Sequence, residues 1–367
     1  MKTLTEENIK DIIVGATFLG AGGGGSAKQG CELLEKLKKE LGTVEVKLID
    51  PEEMEESEYA VMVAGIGAPR AFKEKGFGAE AIHAFELIQK VSFLGGKQIN
   101  YLMAGELGGF NTIVPMYVAA IKGIPFVDGD GNGRAVPELS TGLYPAYNIP
   151  PHPLVLANSK GDSVVAYLSD PMDHKAAETI ARQLAVGWGM LAAFATWIVN
   201  KHQILNCLAP RTITKSEEIG KAFRKVKEKD KEIETLSKEL AKINSKELFV
   251  GTITKLEFKT EGGFDFGTTT ITGEGKYAGK TMTIDFKNEN IIARINGEIV
   301  AMVPDLISLV DIDKMEPVTN ADTVEGQKIA VYGTPAPENW KKVPEGFTCW
   351  KHILEKLGYE GEYVPLK

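Results

Sequence analysis

Two short apolar runs, Ile99–Ala104 and Ile124–Val127, stand one helix apart in this chain, and no other feature constrains its fold as tightly. The segment between them, Asn111–Lys122, reads as a helix. A strand, a crossover helix and a parallel strand make the repeating unit of an α/β sheet. Both runs end in glycine and acid: Gly105-Glu106 after the first, Asp128-Gly-Asp-Gly131 after the second. The spacing therefore puts Glu106 and Asp128 side by side at the carboxyl edge of the sheet, the edge where open α/β folds bind ligands.

The same alternation runs through the first 170 residues. Thr3 and Glu6 stand at capping-box spacing, and Ile9, Ile12, Ile13 and Ala16 follow at helical intervals. Ser26 stands as the N-cap of a second helix, Ala27–Leu41, after the run Gly20-Ala-Gly-Gly-Gly-Gly25. Val44–Ile49, Tyr59–Gly65 and Val164–Leu168 read as strands and Ala79–Val91 as a helix. Asp173 is placed to cap a long helix running through Val199. Beyond Pro210 the texture changes. Ser216–Lys246 is dense in Lys and Glu, yet Ile219, Val226, Ile233 and Leu240 recur every seven residues, a narrow stripe suited to a solvated helix or helical hairpin docked on the body. Phe249–Phe258, Thr268–Thr272, Thr281–Phe286, Ile291–Ile295, Ile299–Val303 and Lys328–Val331 are short β runs. A chain of 367 residues is long for one core. The expectation is an α/β domain with a mainly parallel sheet over 1–170, then a β-rich domain with a helical entry over 171–367.

Composition narrows the function. A net charge of −8 with no basic face argues against nucleic acid as a partner. Cys31, Cys207 and Cys349 are odd in number and far apart, so neither a disulfide framework nor a zinc knot is expected. Cys31 sits one turn into the second helix, where the dipole can lower its pKa, against the default of a buried inert thiol. The first residues are polar and acidic, and the most apolar stretch, Leu184–Val199, is broken by Gly187 and Gly189. A cytoplasmic protein without a membrane partner is the expectation.

The glycine run is no dinucleotide fingerprint, because a helix rather than a strand precedes it, and no Walker A loop, because Ser26-Ala-Lys28 follows Gly25. Gly22, Gly23, Gly24, Gly25 and Ser26 are instead placed to bring backbone N–H groups and a helix N-terminus against an anion or a developing oxyanion. The structural alternative is a tight helix–helix connection. Glu106 suits a general base or metal ligand, with Asn111 the better candidate to cap helix 111–122. Asp128 and Asp130, two residues apart, can hold a divalent ion, or one can fix Arg134; the later ligands of an EF-hand are missing. Arg134 is a candidate clamp for a substrate carboxylate, or a partner for Glu138. His152, between prolines, is placed to project into the same cleft.

Leu19-Gly-Ala-Gly-Gly-Gly-Gly25, Glu106-Leu-Gly-Gly-Phe-Asn111 and Pro125–Glu138 together resemble the S-methyl-thiohydantoin desulfurase domain family. So do Gly263-Phe-Asp-Phe-Gly267, Asn288-Glu-Asn290, Pro304-Asp-Leu-Ile307 and Pro335-Ala336. The resemblance implies an α/β domain followed by a β-rich one, and hydrolytic loss of sulfur from a thiohydantoin- or hydantoin-like ring. It also implies association with hydantoinase/oxoprolinase-type proteins, with a non-catalytic subunit of such an enzyme as the rival reading. In this frame Glu106 or Asp128 activates water, with or without a divalent metal. The Gly22–Gly25 amides and Asn111 hold the ring's anion, and Arg134 orients the acidic arm of a small heterocyclic substrate. A homo-oligomer is expected. The chain departs from the family at Cys349–Gly358, where a Gly-Pro-x-x-Phe-Gly-like run would be expected, and at the long charged stretch 216–246. If the first of these lines the pocket, the substrate differs.

Overall fold

The structure is a computed structural model describing residues 1–67, 69–229, 232–261 and 263–366. The first sheet contains β1 (Lys2–Leu4), β2 (Val46–Ile49), β3 (Glu58–Gly67), β4 (Gln98–Ala104), β5 (Phe126–Asp130), β6 (Leu154–Ala157), β7 (Ser163–Ala166), β8 (Leu191–Asn200) and the short β9 (Ala209–Pro210). Its order is β1-β2-β5-β4-β3-β8-β6-β7, with β9 on β5. The central four, β2-β5-β4-β3, are parallel, and antiparallel strands extend the sheet on both sides. The second sheet is antiparallel throughout: β10 (Lys246–Glu261), β11 (Phe264–Gly273), β12 (Thr281–Lys287), β13 (Glu289–Ile295), β14 (Glu298–Met302), β15 (Leu306–Asp311), β16 (Glu316–Val318) and β17 (Lys328–Thr334).

Helix α1 (Glu6–Leu19) opens on a capping box between Thr5 and Asn8. The box falls two residues later than the Thr3–Glu6 spacing because residues 2–4 are consumed as an edge strand. Helix α2 (Ala27–Leu41) has the expected cap, Ser26, with Gln29 returning the bond. After α3 (Pro69–Lys75), α4 (Ala79–Leu94) and α5 (Ile113–Lys122) flank the parallel strands, followed by the single turn α6 (Leu143–Ala146). Then come α7 (His174–Gly187) and α8 (Lys201–Cys207).

The long helix expected through Val199 is a correction. Asp173 does cap α7, accepting from the Ala176 N–H at 2.9 Å, but the helix stops at Gly187. Gly189 and Met190 take positive φ, and Leu191–Asn200 enters the first sheet between β3 and β6. A run apolar at nearly every position has no period that separates strand from buried helix. Its β-branched and aromatic residues, Phe194 to Val199, decide for strand. Because β8 lies beyond residue 170, the first sheet takes strands from both sides of that position.

The charged stretch folds as α9 (Thr212–Lys229) and α10 (Ile233–Ala241), a hairpin docked on the body; residues 230 and 231 lie outside the described ones. Ile219, Phe223, Val226, Leu236 and Leu240 are buried. Glycine permits the close crossing of α9 on α1: a Cβ on Gly15 would fall 1.8 Å from the Ser216 carbonyl oxygen, and one on Gly220 1.9 Å from that of Asp11. One buried cluster runs from Leu4 and Phe18 through the first sheet to Ile291, Val303, Tyr332 and Trp350, so both halves share a core. A second fills the other face of the second sheet, around Phe249, Ile284 and Val331. Two small helices, α11 (Glu345–Thr348) and α12 (Lys351–Lys356), close the chain. Among the described residues no helix is long and apolar enough to cross a membrane.

Candidate active site

The glycine loop is clamped between the two sheets. Gly24 O accepts from the N–H groups of Phe110 (3.3 Å) and Asn111 (3.1 Å), and Gly25 O from Gly109 (3.0 Å), which joins it to the loop after β4. On the other side Ala21 O accepts from Asn290 N (2.8 Å) and Gly22 O from Asn320 N (2.9 Å), which joins it to the second sheet. Gly24, at φ +71°, lies so close to the first partner that a Cβ would stand 2.4 Å from Leu107 O. Only glycine meets both demands. Gly23 faces the second: its Cβ would fall 1.9 Å from Glu289 Oε1. The loop is thus the tight connection that the sequence offered as its structural alternative, and at Gly23 its backbone abuts a carboxyl group. The Gly23 N–H is spent on Gly20 O (3.0 Å), and Ser26 on capping α2.

Glu106 follows β4, where the parallel unit puts it. Its Oε1 accepts from Asn111 Nδ2 at 2.6 Å and its Oε2 from the Val136 N–H at 2.8 Å. Asn111 is thus not the cap of α5, which begins at Ile113; it is a donor to Glu106. Glu289 opens β13 and is 3% exposed. Its Oε2 finds no hydrogen-bond partner among the described residues. Burial pushes Glu106 up to about 7, against its two hydrogen bonds and the nearby Arg134 charge. Burial and the charge of Glu106 push Glu289 up to about 8, with Arg134 and Lys287 opposing. Burial disfavours the carboxylate form of both groups, and an ionised Glu106 adds to the cost of ionising Glu289.

Asp128 does not join them. Its Oδ1 accepts from the N–H groups of Ile213 (3.0 Å) and Thr214 (2.9 Å), and its Oδ2 from the Thr214 hydroxyl. It caps α9, a task invisible until the chain 85 residues on folds back against β5. Asp130 is fully buried and turns the following loop, accepting from Asn132 N and Gly133 N at 2.8 Å each; burial raises it to about 7. Arg134 is no free clamp. Its Nε donates to Ala135 O (3.0 Å), Nη1 to Pro304 O (3.1 Å) and Asp305 O (2.9 Å), and Nη2 to Asn290 O (3.1 Å). The guanidinium lies 4.9 Å from the Trp350 ring centre and bolts the first sheet's loop to the second sheet. Burial pulls it down to about 10, with Glu289, Asp305 and Glu106 opposing, so it keeps its charge at neutral pH. Glu138 pairs with Lys287 and with His352 Nε2 (2.8 Å), not with Arg134. His152 is not brought to the cleft either: its Nδ1 accepts from Leu168 N (3.3 Å) and its ring meets Tyr167. Cys31 is raised by burial rather than lowered by the helix.

Beside Glu106, Tyr144 packs on Gly131 and stacks on Trp197, centroids 3.9 Å apart and planes 4° from parallel. Trp197 sits at φ +52°, where β8 slips one residue against β3. A bulky residue in that region is strained, and bulges re-aim side chains beside sites. The Tyr144 hydroxyl is buried without a partner among the described residues. Opposite, His352, Ile353 and Lys356 join Glu138 and Lys287 around a cavity of about 290 Å³. The C-terminal segment that departs from the family pattern therefore does line a pocket.

With Asp128 turned away toward α9, the pair suggested for a divalent ion does not converge. Among the described residues no group of three or more His, Cys, Asp or Glu side chains could hold a metal. Glu289 was the residue sequence reasoning missed. The signal was an acid flanked by two asparagines, Asn288-Glu-Asn290, heading an otherwise apolar β run.

Comparison with known proteins agrees with this layout. The S-Me-THD-like N-terminal domain matches residues 7–167 and the S-Me-THD-like C-terminal domain residues 172–366. A crystal structure of a protein from Chromobacterium violaceum superposes with a TM-score of 0.86 at 26% identity, over 100% of both chains. No curated protein matched the chain.

Proposed function

This chain belongs to the S-Me-THD-like family, and from that premise we propose that it is a hydrolase removing sulfur from a thiohydantoin- or hydantoin-like ring. The family supports a desulfurase-like role in general; the observation that carries the hydrolytic reading is the Glu106–Glu289 pair. Glu106, the lower of the two at about 7, has both oxygens stabilised as carboxylate by Asn111 and Val136 and acts as the base. It takes a proton from water as the water oxygen bonds to the sulfur-bearing ring carbon. Glu289, at about 8, is the protonated member, and its unpaired Oε2 donates to the sulfur as the carbon–sulfur bond breaks. Sulfur leaves as thiol or sulfide, the proton of the new hydroxyl passes to the ring nitrogen of an S-alkyl ring or departs with the sulfide of a thioxo ring, and the carbon becomes a carbonyl; the proton held by Glu106 then returns to Glu289 through solvent. Like-charge neighbours with separated pKa values supply the acid and base of one step. The glycine loop leaves no room for a side chain over Glu289.

The test is incubation of the protein with S-methyl-thiohydantoin, thiohydantoin and hydantoin, with and without chelator, following thiol or sulfide release. Release that falls at least about 100-fold in both Glu106→Gln and Glu289→Gln supports the assignment. Undiminished turnover in either variant removes that residue from the chemistry. No turnover of any ring, with stoichiometric co-purification of a hydantoinase- or oxoprolinase-type protein, would favour a subunit role instead.

A further inference from the structure

Strand β10 outruns its partner on one side. Its pairing with β17 ends at Thr252 opposite Lys328, while its pairing with β11 continues from Lys255 to Glu261. Among the described residues no strand covers the other edge of Lys255–Glu261. The Leu256 N–H shows which backbone groups face that edge: it turns from β11 and donates to Glu325 Oε1 at 3.0 Å. Alternation along an antiparallel strand then turns the N–H and C=O of Phe258 and Thr260 outward as well. The ribbon is anchored near its tip, where the Arg182 guanidinium lies 4.3 Å from the Phe264 ring centre and Lys356 Nζ 3.1 Å from Glu261 Oε1. Phe258 nevertheless stands 61% exposed on it.

Sheet edges are commonly defended by lysines, which repel a second copy. Here the charges alternate instead, Lys255, Glu257, Lys259 and Glu261, each more than half exposed, and their order complements itself. Laid antiparallel on its own copy with Phe258 opposite Phe258, the edge sets Glu257 against Lys259 and Lys255 against Glu261, twice over by symmetry. A slip of two residues in either direction sets Lys against Lys and Glu against Glu, so the charges select one register. In that register the outward Phe258 N–H of each chain meets the Phe258 C=O of the other, and the two exposed rings come together. We propose that the β10 edge from Lys255 to Glu261 pairs antiparallel with the same edge of a second copy of this chain, with Phe258 on the two-fold axis. The contact is isologous, as a two-fold dimer requires, and it is independent of the hydrolase reading.

Self-association of the full chain is measured by sedimentation equilibrium from about 1 to about 100 µM, the range suited to an interface of modest size. The samples are wild type, Lys259→Glu, Glu257→Lys and an equimolar mixture of the two variants. Both side chains are well exposed (70% and 61%), so the variants keep the fold. The expected result is a wild-type dimer and a dissociation constant at least about tenfold weaker for either variant alone, where like charges meet beside the axis. The mixture should recover the wild-type constant, because the acidic edge of one chain then faces the basic edge of the other. A wild-type monomer throughout that range overturns the proposal. So does a dimer that both variants leave intact, which would place the interface elsewhere, and so does a mixture no tighter than the variants alone.

Discussion

Replacing Glu289 by Gln should make the fold less sensitive to alkaline pH while removing activity. A glutamate in the unfolded chain ionises near 4.5, whereas the folded chain holds the Glu289 proton until about 8. Across that interval the folded state binds a proton that the unfolded state has released. Its stabilising contribution is complete below 4.5 and is lost as pH rises through 8. A displacement from 4.5 to about 8, at about 1.4 kcal/mol per unit, amounts to on the order of 5 kcal/mol. Glu106, raised to about 7, works in the same direction, and part of the Glu289 rise is repulsion from Glu106. The wild-type unfolding free energy should therefore drop by several kcal/mol between pH 5 and pH 9. In Glu289→Gln the drop should be smaller by roughly 3 to 5 kcal/mol, since the amide cannot ionise. Urea midpoints at pH 5, 7 and 9 measure this directly. Parallel pH dependences in the two proteins would mean that Glu289 is ionised in the native state at neutral pH, and its role as proton donor would be refuted.

Other expectations separate chemistry from scaffolding. Gly23→Ala should displace the Glu289 side chain and cut turnover at least about 100-fold while costing little stability, because the clash is with side-chain atoms; a large fall in thermal midpoint with normal kcat would contradict this. Gly24→Ala, at positive φ and against the Leu107 backbone, should instead cost the fold 2 kcal/mol or more by the rough scale of strained positions. Asp128→Ala should lower stability by about 1 to 2 kcal/mol through loss of the α9 cap and leave kcat unchanged; a kcat defect would return Asp128 to the active site. Arg134→Lys should cost about 3 kcal/mol, since an ammonium cannot reproduce a planar fan to four carbonyls, and denaturation measurements test this.

The parallel unit was legible because its signals are local: apolar runs of strand length, a helix between, and glycine and acid at the ends. The same holds for the Ser26 cap and for the buried stripe of 216–246. The strand at 191–200 was not legible, since a run buried on both faces carries no alternation, and only its partners β3 and β6 reveal its state. For the site, sequence placed Glu106, Asn111 and the glycine loop in one neighbourhood, and the fold does bring them together. It could not tell a carboxylate that caps a helix from one that faces a ligand. Asp128 is decided by Thr214 and Arg134 by Pro304, Asp305 and Asn290, residues from about 85 to 170 positions away. Glu289 escaped for the same reason: its significance lies in Gly23 and Glu106, which the sequence holds far from it.

The central claim is that Glu106 and Glu289 share a buried site and divide a proton between them near neutral pH. Carbon-13 NMR titration of side-chain-labelled glutamates reads it most directly. Two carboxyls should titrate near 7 and 8, and Glu106→Gln, by removing the charge that opposes ionisation of Glu289, should move the Glu289 signal to lower pH. Titration of both near 4.5, or a Glu289 midpoint indifferent to the substitution, would contradict the account.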